Sequence, residues 1–320
     1  MSFTSEIKSE IIKKNINGTV NKKAFLAGFI RSTGSLIRVK KAFGFEYSIE
    51  SQETAHFILE QFQSVFGFLP EQSGIEKDQL NGNRERVTFQ CIGEKGISVL
   101  SELEILSKTK KHFDIIIDLN VDLLKTEEAK RSFIKGVFLG AGNVTLPKKT
   151  KEKVTSTGYH LELKFTSYMA SSEFISLLES FSINTRIIEK KEHFLVYIKS
   201  AESIKDFLAL INTPKAVLKL TDRIIEKEIM NNVNRAKNCD LANVNKQVLA
   251  SEKQINAVNL IEQTFGLDYL TEDLKETAIF RRENPDFTLN ELSDEMGITK
   301  SCLNHRLRKI ISIAETITKD

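Results

Sequence analysis

A short run near the carboxyl end of the chain carries side chains that suit nucleic-acid recognition. Phosphates are bound by cations and N–H donors, whereas base edges are read by Arg, Asn and short polar groups. No acidic residue interrupts the run between Thr299 and Ala314. We predict a DNA-reading helix whose contacts come from Lys300, Ser301, Asn304, His305, Arg306, Arg308 and Lys309. The alternative is a solvated basic helix in a small helical domain.

The residues around this run predict the helix-turn-helix that would position it. Pro285 must end the preceding helix, and Thr288 and Glu291 have the spacing of a capping box at the start of the next one. Gly297 can take the left-handed conformation of a helix end, and Thr299 can cap the second helix. That second helix then has one apolar stripe, formed by Leu303, Leu307, Ile310 and Ile311. Its opposite face is basic.

The chain also contains an internal duplication. Segment Lys23–Ser35 reappears in altered form as Arg131–Asn143, with glycines at equivalent positions: Gly28 with Gly136, and Gly34 with Gly142. A glycine inside a helix costs about 1 kcal/mol relative to alanine. Close approach of two helix backbones would explain Gly28 and Gly136, and the second glycine of each copy would end the helix. Each copy precedes a hairpin, a helix and a strand, so the pattern predicts two αββαβ halves.

The first copy, Phe25–Gly34, resembles the LAGLIDADG motif of homing endonucleases. Together with Asn238–Asn243 and the basic helix near the end of the chain, it makes the whole sequence similar to the WhiA family of bacterial regulators. This resemblance implies an α+β fold: a pseudo-twofold LAGLIDADG-like saddle of two αββαβ halves, plus an all-α helix-turn-helix domain. It also implies DNA-facing strands, and a role in sporulation or in cell division and chromosome segregation.

The chain departs from the nuclease pattern at the metal-binding positions. Active LAGLIDADG enzymes place an acid there in each copy, whereas this chain has Thr33 and Ala141. Neither side chain can supply the anionic oxygen that a hard divalent cation requires. Asp114, Asp118 and Asp122 could be alternative ligands on a predicted helix, but a solvated acidic face explains them better. We therefore expect no catalytic residue, no metal and no cofactor.

The saddle could contact DNA through its two hairpins. Arg38 and Lys40 of the first hairpin would share one face of a strand, and Lys148 and Lys149 lie on the second. An equally good alternative is that these cations only prevent pairing of exposed strand edges. The segment from Ser73 to Arg86 is rich in glycine, asparagine and charge, which favours an exposed loop.

Composition and patterning set the domain organisation and the compartment. The 320 residues are 41% hydrophobic and 28% charged, which is typical of globular domains, and the net charge of +3 requires any DNA affinity to come from local patches. The three cysteines are isolated, and no apolar run could span a membrane, so we expect a cytoplasmic, nucleoid-associated protein.

Ser251 and Gln254 have capping-box spacing at the start of the last domain. The predicted domains are 1–237, with halves at about 1–122 and 123–215 and an exit helix at 215–237, a linker at 238–250, and the helix-turn-helix domain at 251–320.

These observations favour a non-catalytic DNA-binding regulator whose partner is double-stranded DNA. An alternative is a cell-division adaptor, in which DNA localises the protein and a protein partner transmits the effect. A less favoured alternative is an active LAGLIDADG nuclease. No membrane partner is expected.

Overall fold

The structure, a computed structural model, describes residues 2–78, 84–108, 113–147 and 158–318. The chain divides into two compact units, Met1–Ile225 and Glu226–Asp320, each with its own hydrophobic core. The division falls inside the predicted exit helix. Within the described ranges, no helix has both the length and the apolarity needed to cross a membrane.

The first half of the first unit contains a leading helix and one four-stranded antiparallel sheet flanked by helices. Its elements are α1 (Phe3–Ile12), α2 (Thr19–Thr33), β1 (Ser35–Val39), β2 (Ala42–Ile49), α3 (Gln52–Phe66), β3 (Glu71–Asp78), β4 (Arg84–Ile92) and α4 (Gly93–Glu102). The strand order is β1-β2-β4-β3. A two-stranded sheet, β5 (Leu106–Lys108) with β6 (Phe113–Ile115), and a 3-10 helix, Asp122–Leu124, lead to the second half.

The second half repeats this arrangement. Its elements are α5 (Glu127–Ala141), β7 (Gly142–Thr145), β8 (His160–Phe165), α6 (Tyr168–Glu179), β9 (Arg186–Lys190), β10 (His193–Ile198) and α7 (Ala201–Leu210). The strand order, β7-β8-β10-β9, is equivalent to that of the first sheet. The predicted fold class is confirmed, although each half has one more strand than the αββαβ pattern and a closing helix.

Two local predictions in this unit were wrong. The predicted loop from Ser73 to Arg86 contains much of β3 and the start of β4, because β3 gains its hydrogen bonds from β4 and needs little apolar character of its own. The three aspartates do not share a helix. Asp114 lies in β6, Asp118 lies outside regular structure, and Asp122 begins the 3-10 helix.

The glycines of the duplicated motif lie where α2 and α5 touch. A Cβ atom on Gly28 would stand 2.1 Å from the carbonyl oxygen of Phe133, and one on Gly136 would stand 2.0 Å from that of Phe25. The predicted close approach is therefore confirmed. Gly34 and its equivalent Gly142 do end their helices, but both have an extended backbone rather than a left-handed one. A side chain there would collide with the preceding turn of the helix.

The predicted linker is helical. Helix α8 runs from Pro214 to Phe265 and includes all of 238–250. Asparagine is a poor helix former, but its penalty is below about 0.7 kcal/mol per residue, and the helix contains no glycine and no proline after Pro214. Ser251 is therefore a buried mid-helix residue and not an N-cap, so its predicted capping box is wrong.

The second unit is all-α. After α8 come a 3-10 helix (Leu267–Tyr269), α9 (Glu272–Glu283), α10 (Leu289–Glu295) and α11 (Lys300–Ile317). Its core joins α8 to the three later helices through Val258, Ile261, Leu274, Ala278, Leu292, Leu303, Leu307 and Ile310. This core sets the position of α11.

Candidate nucleic-acid interface

The turn between α10 and α11 is built by the predicted local signals. The Thr288 hydroxyl accepts a hydrogen bond from the Glu291 amide at 3.3 Å, and the Thr288 amide donates to the Glu291 carboxylate at 2.7 Å. Hydrogen bonds from the backbone amide and the side chain of Thr288 to the Glu291 carboxylate lower the pKa of that carboxylate. Gly297 has a left-handed φ of 63°, and the Thr299 hydroxyl accepts from the Cys302 amide at 3.2 Å to cap α11. The capping box, the glycine turn and the second cap are confirmed.

Helix α11 separates its apolar and basic faces as predicted. Leu303, Leu307 and Ile310 are at most 1% exposed and pack into the core, and Ile311 is partly buried beside them. Most of the predicted DNA-binding residues are exposed on the other side, with Asn304 partly buried: Lys300, Ser301, His305, Arg308 and Lys309. This face therefore presents cations, an amide and a hydroxyl together.

Arg306 departs from this arrangement. Its side chain is 17% exposed and ion-pairs with the Asp273 carboxylate of α9 at 3.4 Å, and with Glu276 at 4.0 Å. It also donates to the Asp273 carbonyl and the Thr277 hydroxyl, each at 3.4 Å. Arg306 therefore holds α11 against α9, and its charge is already matched by carboxylates. The other predicted cations of α11 are better placed to reach DNA.

A buried arginine that sequence reasoning missed fixes the segment before α10. Arg281 is 2% exposed and donates to the carbonyl oxygens of Phe287 at 2.8 Å and Pro285 at 2.6 Å. It also bonds Ser251 of α8, whose hydroxyl donates to the Pro285 carbonyl at 2.7 Å. Burial lowers the pKa of Arg281, and the Asp286 carboxylate opposes that shift. The sequence signal was a cation on an apolar stripe, because Arg281 follows Leu274 and Ala278 at helical spacing.

The predicted cations of the first hairpin do not lie on one strand face. Arg38 pairs with Phe43, so the two side chains share a side of the sheet, and Phe43 packs against the core. Lys40 lies in the two-residue turn after β1, with a φ of 56°, so strand alternation no longer applies to it. Lys148 and Lys149 lie outside the described residues.

The outer face of the first sheet, turned away from its buried aromatic side, is acidic. Glu46 of β2, Gln90 of β4 and Glu71 of β3 are register partners and so lie on this face. Glu76 pairs with Arg86 in the same register. Arg86 also donates to the Glu50 carboxylate at 2.8 Å. Duplex DNA would meet mainly carboxylates here.

The outer face of the second sheet has the opposite charge. Glu162, Tyr197 and Arg186 are register partners across β8, β10 and β9. Lys164 and Lys190 lie on the same side by alternation, and both are exposed together with Arg186. In the described part of the first unit, the second sheet is thus the more cationic surface.

The positions that hold metal in active nucleases are filled differently. The Thr33 hydroxyl donates to the Phe29 carbonyl at 2.7 Å within its own helix, and Ala141 is the last residue of α5. Among the described residues, no group of three His, Cys, Asp or Glu side chains could hold a metal ion. Any metal site at these motif ends would lack its two usual carboxylates.

Fold and site together define the class: a duplicated LAGLIDADG-like α+β unit with a helix-turn-helix unit. Three family models match, described as the WhiA N-terminal LAGLIDADG-like domain (19–106), the WhiA LAGLIDADG-like domain (130–230) and the WhiA C-terminal HTH domain (233–314). The chain belongs to the WhiA family.

Similar proteins of full length agree with this assignment. A probable cell division protein WhiA of Caldicellulosiruptor saccharolyticus is 34% identical over 100% of this chain and 96% of its own length. The protein of the same description from Staphylococcus haemolyticus is 35% identical over 99% and 98% of the two chains. The crystal structure of full-length WhiA from Thermatoga maritima has a TM-score of 0.57 at 25% identity and covers 99% of both chains.

Proposed function

We propose that this protein is a non-catalytic, DNA-binding regulator that reads duplex DNA with helix α11. The observation that carries the proposal is the one-sided face of α11: exposed cations and short polar groups opposite a buried apolar stripe. A helix with these features, held by a capped turn, has the composition and placement that major-groove recognition requires.

The residues divide by the contacts that their chemistry allows. Ser301, Asn304 and Arg308 recur at helical spacing from the amino end of α11, so we assign them to base edges. Lys300 and Lys309 suit phosphates, since an ammonium carries charge but little geometric information. His305 lies between the two groups, and Arg306 contributes indirectly by fixing α11 on α9.

The absence of catalysis belongs to the same proposal. Support comes from Thr33 and Ala141, which cannot replace paired carboxylates as ligands of a hard cation. Magnesium-dependent cleavage of plasmid DNA, lost on mutation of one specific carboxylate, would revive the nuclease alternative.

The cellular role is proposed from the relatives, which are described as probable cell division proteins. We propose action in cell division and chromosome segregation, or in sporulation, in association with the nucleoid. The adaptor hypothesis differs by requiring a protein partner. Genome-wide binding sites coupled to expression changes after deletion would favour the regulator, and binding without such changes would favour the adaptor.

The DNA-binding proposal is tested by removing two cations from α11. Arg308→Ala with Lys309→Ala should weaken binding of the full chain to labelled duplex DNA. It should also reduce the slope of log K against log salt by about 0.9, since Lys309 is assigned to a phosphate, Arg308 is assigned to a base edge, and each neutralised phosphate contributes about 0.9. Thermal stability should change little, because both side chains are exposed.

A matched control removes the same two residue types from the same unit. Lys275 and Arg282 are ion-paired with Asp268 and Glu262, away from the face of α11. Lys275→Ala with Arg282→Ala should leave the salt slope nearly unchanged. Equal losses in the two double variants would mean that net charge alone drives binding, which would refute the assignment to α11.

A further inference from the structure

Helix α8 is buried near both of its ends and exposed in between. Ala216 and Leu220 pack into the core of the first unit, and Val258 and Ile261 pack into that of the second. From residue 229 to residue 248, every residue except Asn231 is exposed. This segment lies wholly within the second unit, and the DNA-binding proposal makes no use of it.

The exposed segment carries an apolar stripe with two charges at its middle. Four apolar members of the stripe are between 42% and 57% exposed: Ile229, Val233, Val244 and Val248. Lys237 and Asp240 lie between them, and all six positions fall within about 100° of arc at 3.6 residues per turn. Met230 and Leu241 are also exposed and border the stripe on one side. An exposed apolar surface that follows one helix face for about 30 Å is typical of an interaction site.

The spacing of the stripe suits pairing with another helix. Its six members follow one another at intervals of 4, 4, 3, 4 and 4 residues, so members three places apart are 11 residues apart. An 11-residue repeat has about 3.67 residues per turn, which is close to the 3.6 of an α-helix. The stripe therefore keeps nearly one direction along α8, and a second helix can follow it over its whole length.

The stripe is its own complement when the direction of the chain is reversed. From either end come two apolar residues, then the two charges, then two apolar residues. In an antiparallel pair of copies, each apolar member lies opposite another apolar member, as Val233 lies opposite Val244. Lys237 of each copy then lies opposite Asp240 of the other, which forms two ion pairs at the centre. A parallel pair would place lysine opposite lysine and aspartate opposite aspartate, and like charges repel.

The two central charges are available for such pairing. Among the described residues, neither Lys237 nor Asp240 forms an ion pair. Charged pairs in a helix interface add little net stability, but they fix the direction and register of the helices. An unrelated partner would require no such symmetry, so charge complementarity favours a second copy of this chain.

We propose that two copies of this chain associate through the middle of α8, with the helices antiparallel and Lys237 of each copy paired with Asp240 of the other. This association requires no DNA. A dimer that also binds DNA would bring two α11 helices to the duplex, one for each half of a repeated site.

The test is sedimentation velocity of the full chain without DNA, over about 1–100 μM. Reducing conditions exclude disulfide cross-links through Cys239 and Cys302, which are exposed. The dimer fraction should rise with concentration. Lys237→Asp should weaken association about tenfold or more, because it places aspartate opposite aspartate. The control, Lys246→Asp, makes the same change on the opposite face of α8 and should leave association unchanged.

Exchanging the two charges tests the antiparallel arrangement. Lys237→Asp combined with Asp240→Lys again places opposite charges together in an antiparallel pair, so it should restore association to nearly the wild-type level. Circular dichroism should show the same helix content in all variants. Three results would overturn the proposal: a chain that stays monomeric over the whole range, association that Lys237→Asp does not weaken, or a loss that the exchange does not restore. None of these results would affect the assignment of α11, since DNA is absent from the measurement.

Discussion

Arg281 offers the sharpest test of how the second unit holds its helix-turn-helix in place. We expect Arg281→Met, which keeps the length of the side chain and removes its donors, to destabilise this unit. The carbonyl oxygens of Pro285 and Phe287 and the hydroxyl of Ser251 would all lose a donor. Arg281 is 2% exposed, so methionine can fill the space without exposing new apolar surface.

The size of the effect follows from two opposing contributions. The Pro285 carbonyl keeps the Ser251 hydroxyl as a donor, so the loss falls on the Phe287 carbonyl and the Ser251 oxygen, and each acceptor left without a donor costs about 1–3 kcal/mol. Methionine avoids the desolvation of a cation, which offsets part of that loss. The net destabilisation is about 2–4 kcal/mol. Arg281→Lys should lower the free energy of unfolding by less than Arg281→Met does. It should still be destabilising, because one ammonium cannot reach all the acceptors that the planar guanidinium bonds at once.

The assay is urea unfolding of the full chain, combined with hydrogen exchange of the amides in α9, α10 and α11. The control is the adjacent residue: Arg282 is 34% exposed and ion-paired with Glu262 at 2.5 Å, an interaction worth about 0–1 kcal/mol. Arg282→Met should therefore have little effect. If the two methionine variants showed equal stability and exchange, the argument for the Arg281 network would fail.

Two further predictions concern the motif glycine and the capping box. Gly28→Ala should destabilise the first unit by about 3 kcal/mol or more, because its Cβ would lie 2.1 Å from the Phe133 carbonyl oxygen. The control, Gly74→Ala, should be tolerated because the space around Gly74 is open. Equal melting temperatures for the two variants would contradict the close packing of α2 and α5. Hydrogen bonds from Thr288 lower the pKa of Glu291 in the folded protein. The stability that these bonds contribute is therefore fully present above the unfolded-state pKa of about 4.5, and it is lost as the pH falls through the lower folded-state pKa. Urea midpoints from pH 6 down to about pH 3 should therefore converge for wild type and Glu291→Gln; a constant difference over this range would refute the linkage.

The parts of the fold that sequence could predict are those set by neighbouring residues. The capping box at Thr288, the left-handed turn at Gly297 and the stripe of α11 each depend on groups a few residues apart, and all three are confirmed. The close approach of α2 and α5 at Gly28 and Gly136 was predictable because a glycine inside a helix needs a steric reason, and the duplication supplied the partner helix.

The parts that could not be predicted depend on distant partners. Strand β3 exists through its pairing with β4, and its own residues resemble a loop. Helix α8 continues through 238–250 because no residue there breaks it, although the asparagines favour a turn when they are considered alone. Arg306 and Arg308 have the same chemistry in the sequence, and only the carboxylates of α9 distinguish a structural clamp from an exposed cation.

The motif shared by α2 and α5 has two separable physical roles. Packing depends on Gly28 and Gly136, which let the helix backbones meet, whereas metal binding in nucleases depends on acids at the helix ends. Here the first role is present, and Thr33 and Ala141 remove the usual ligands of the second. A pair of helices packed in this way still joins the two halves and still forms a cavity where they end. The fold can therefore keep the packing of its two motif helices while the positions that carry metal ligands in nucleases lose their carboxylates.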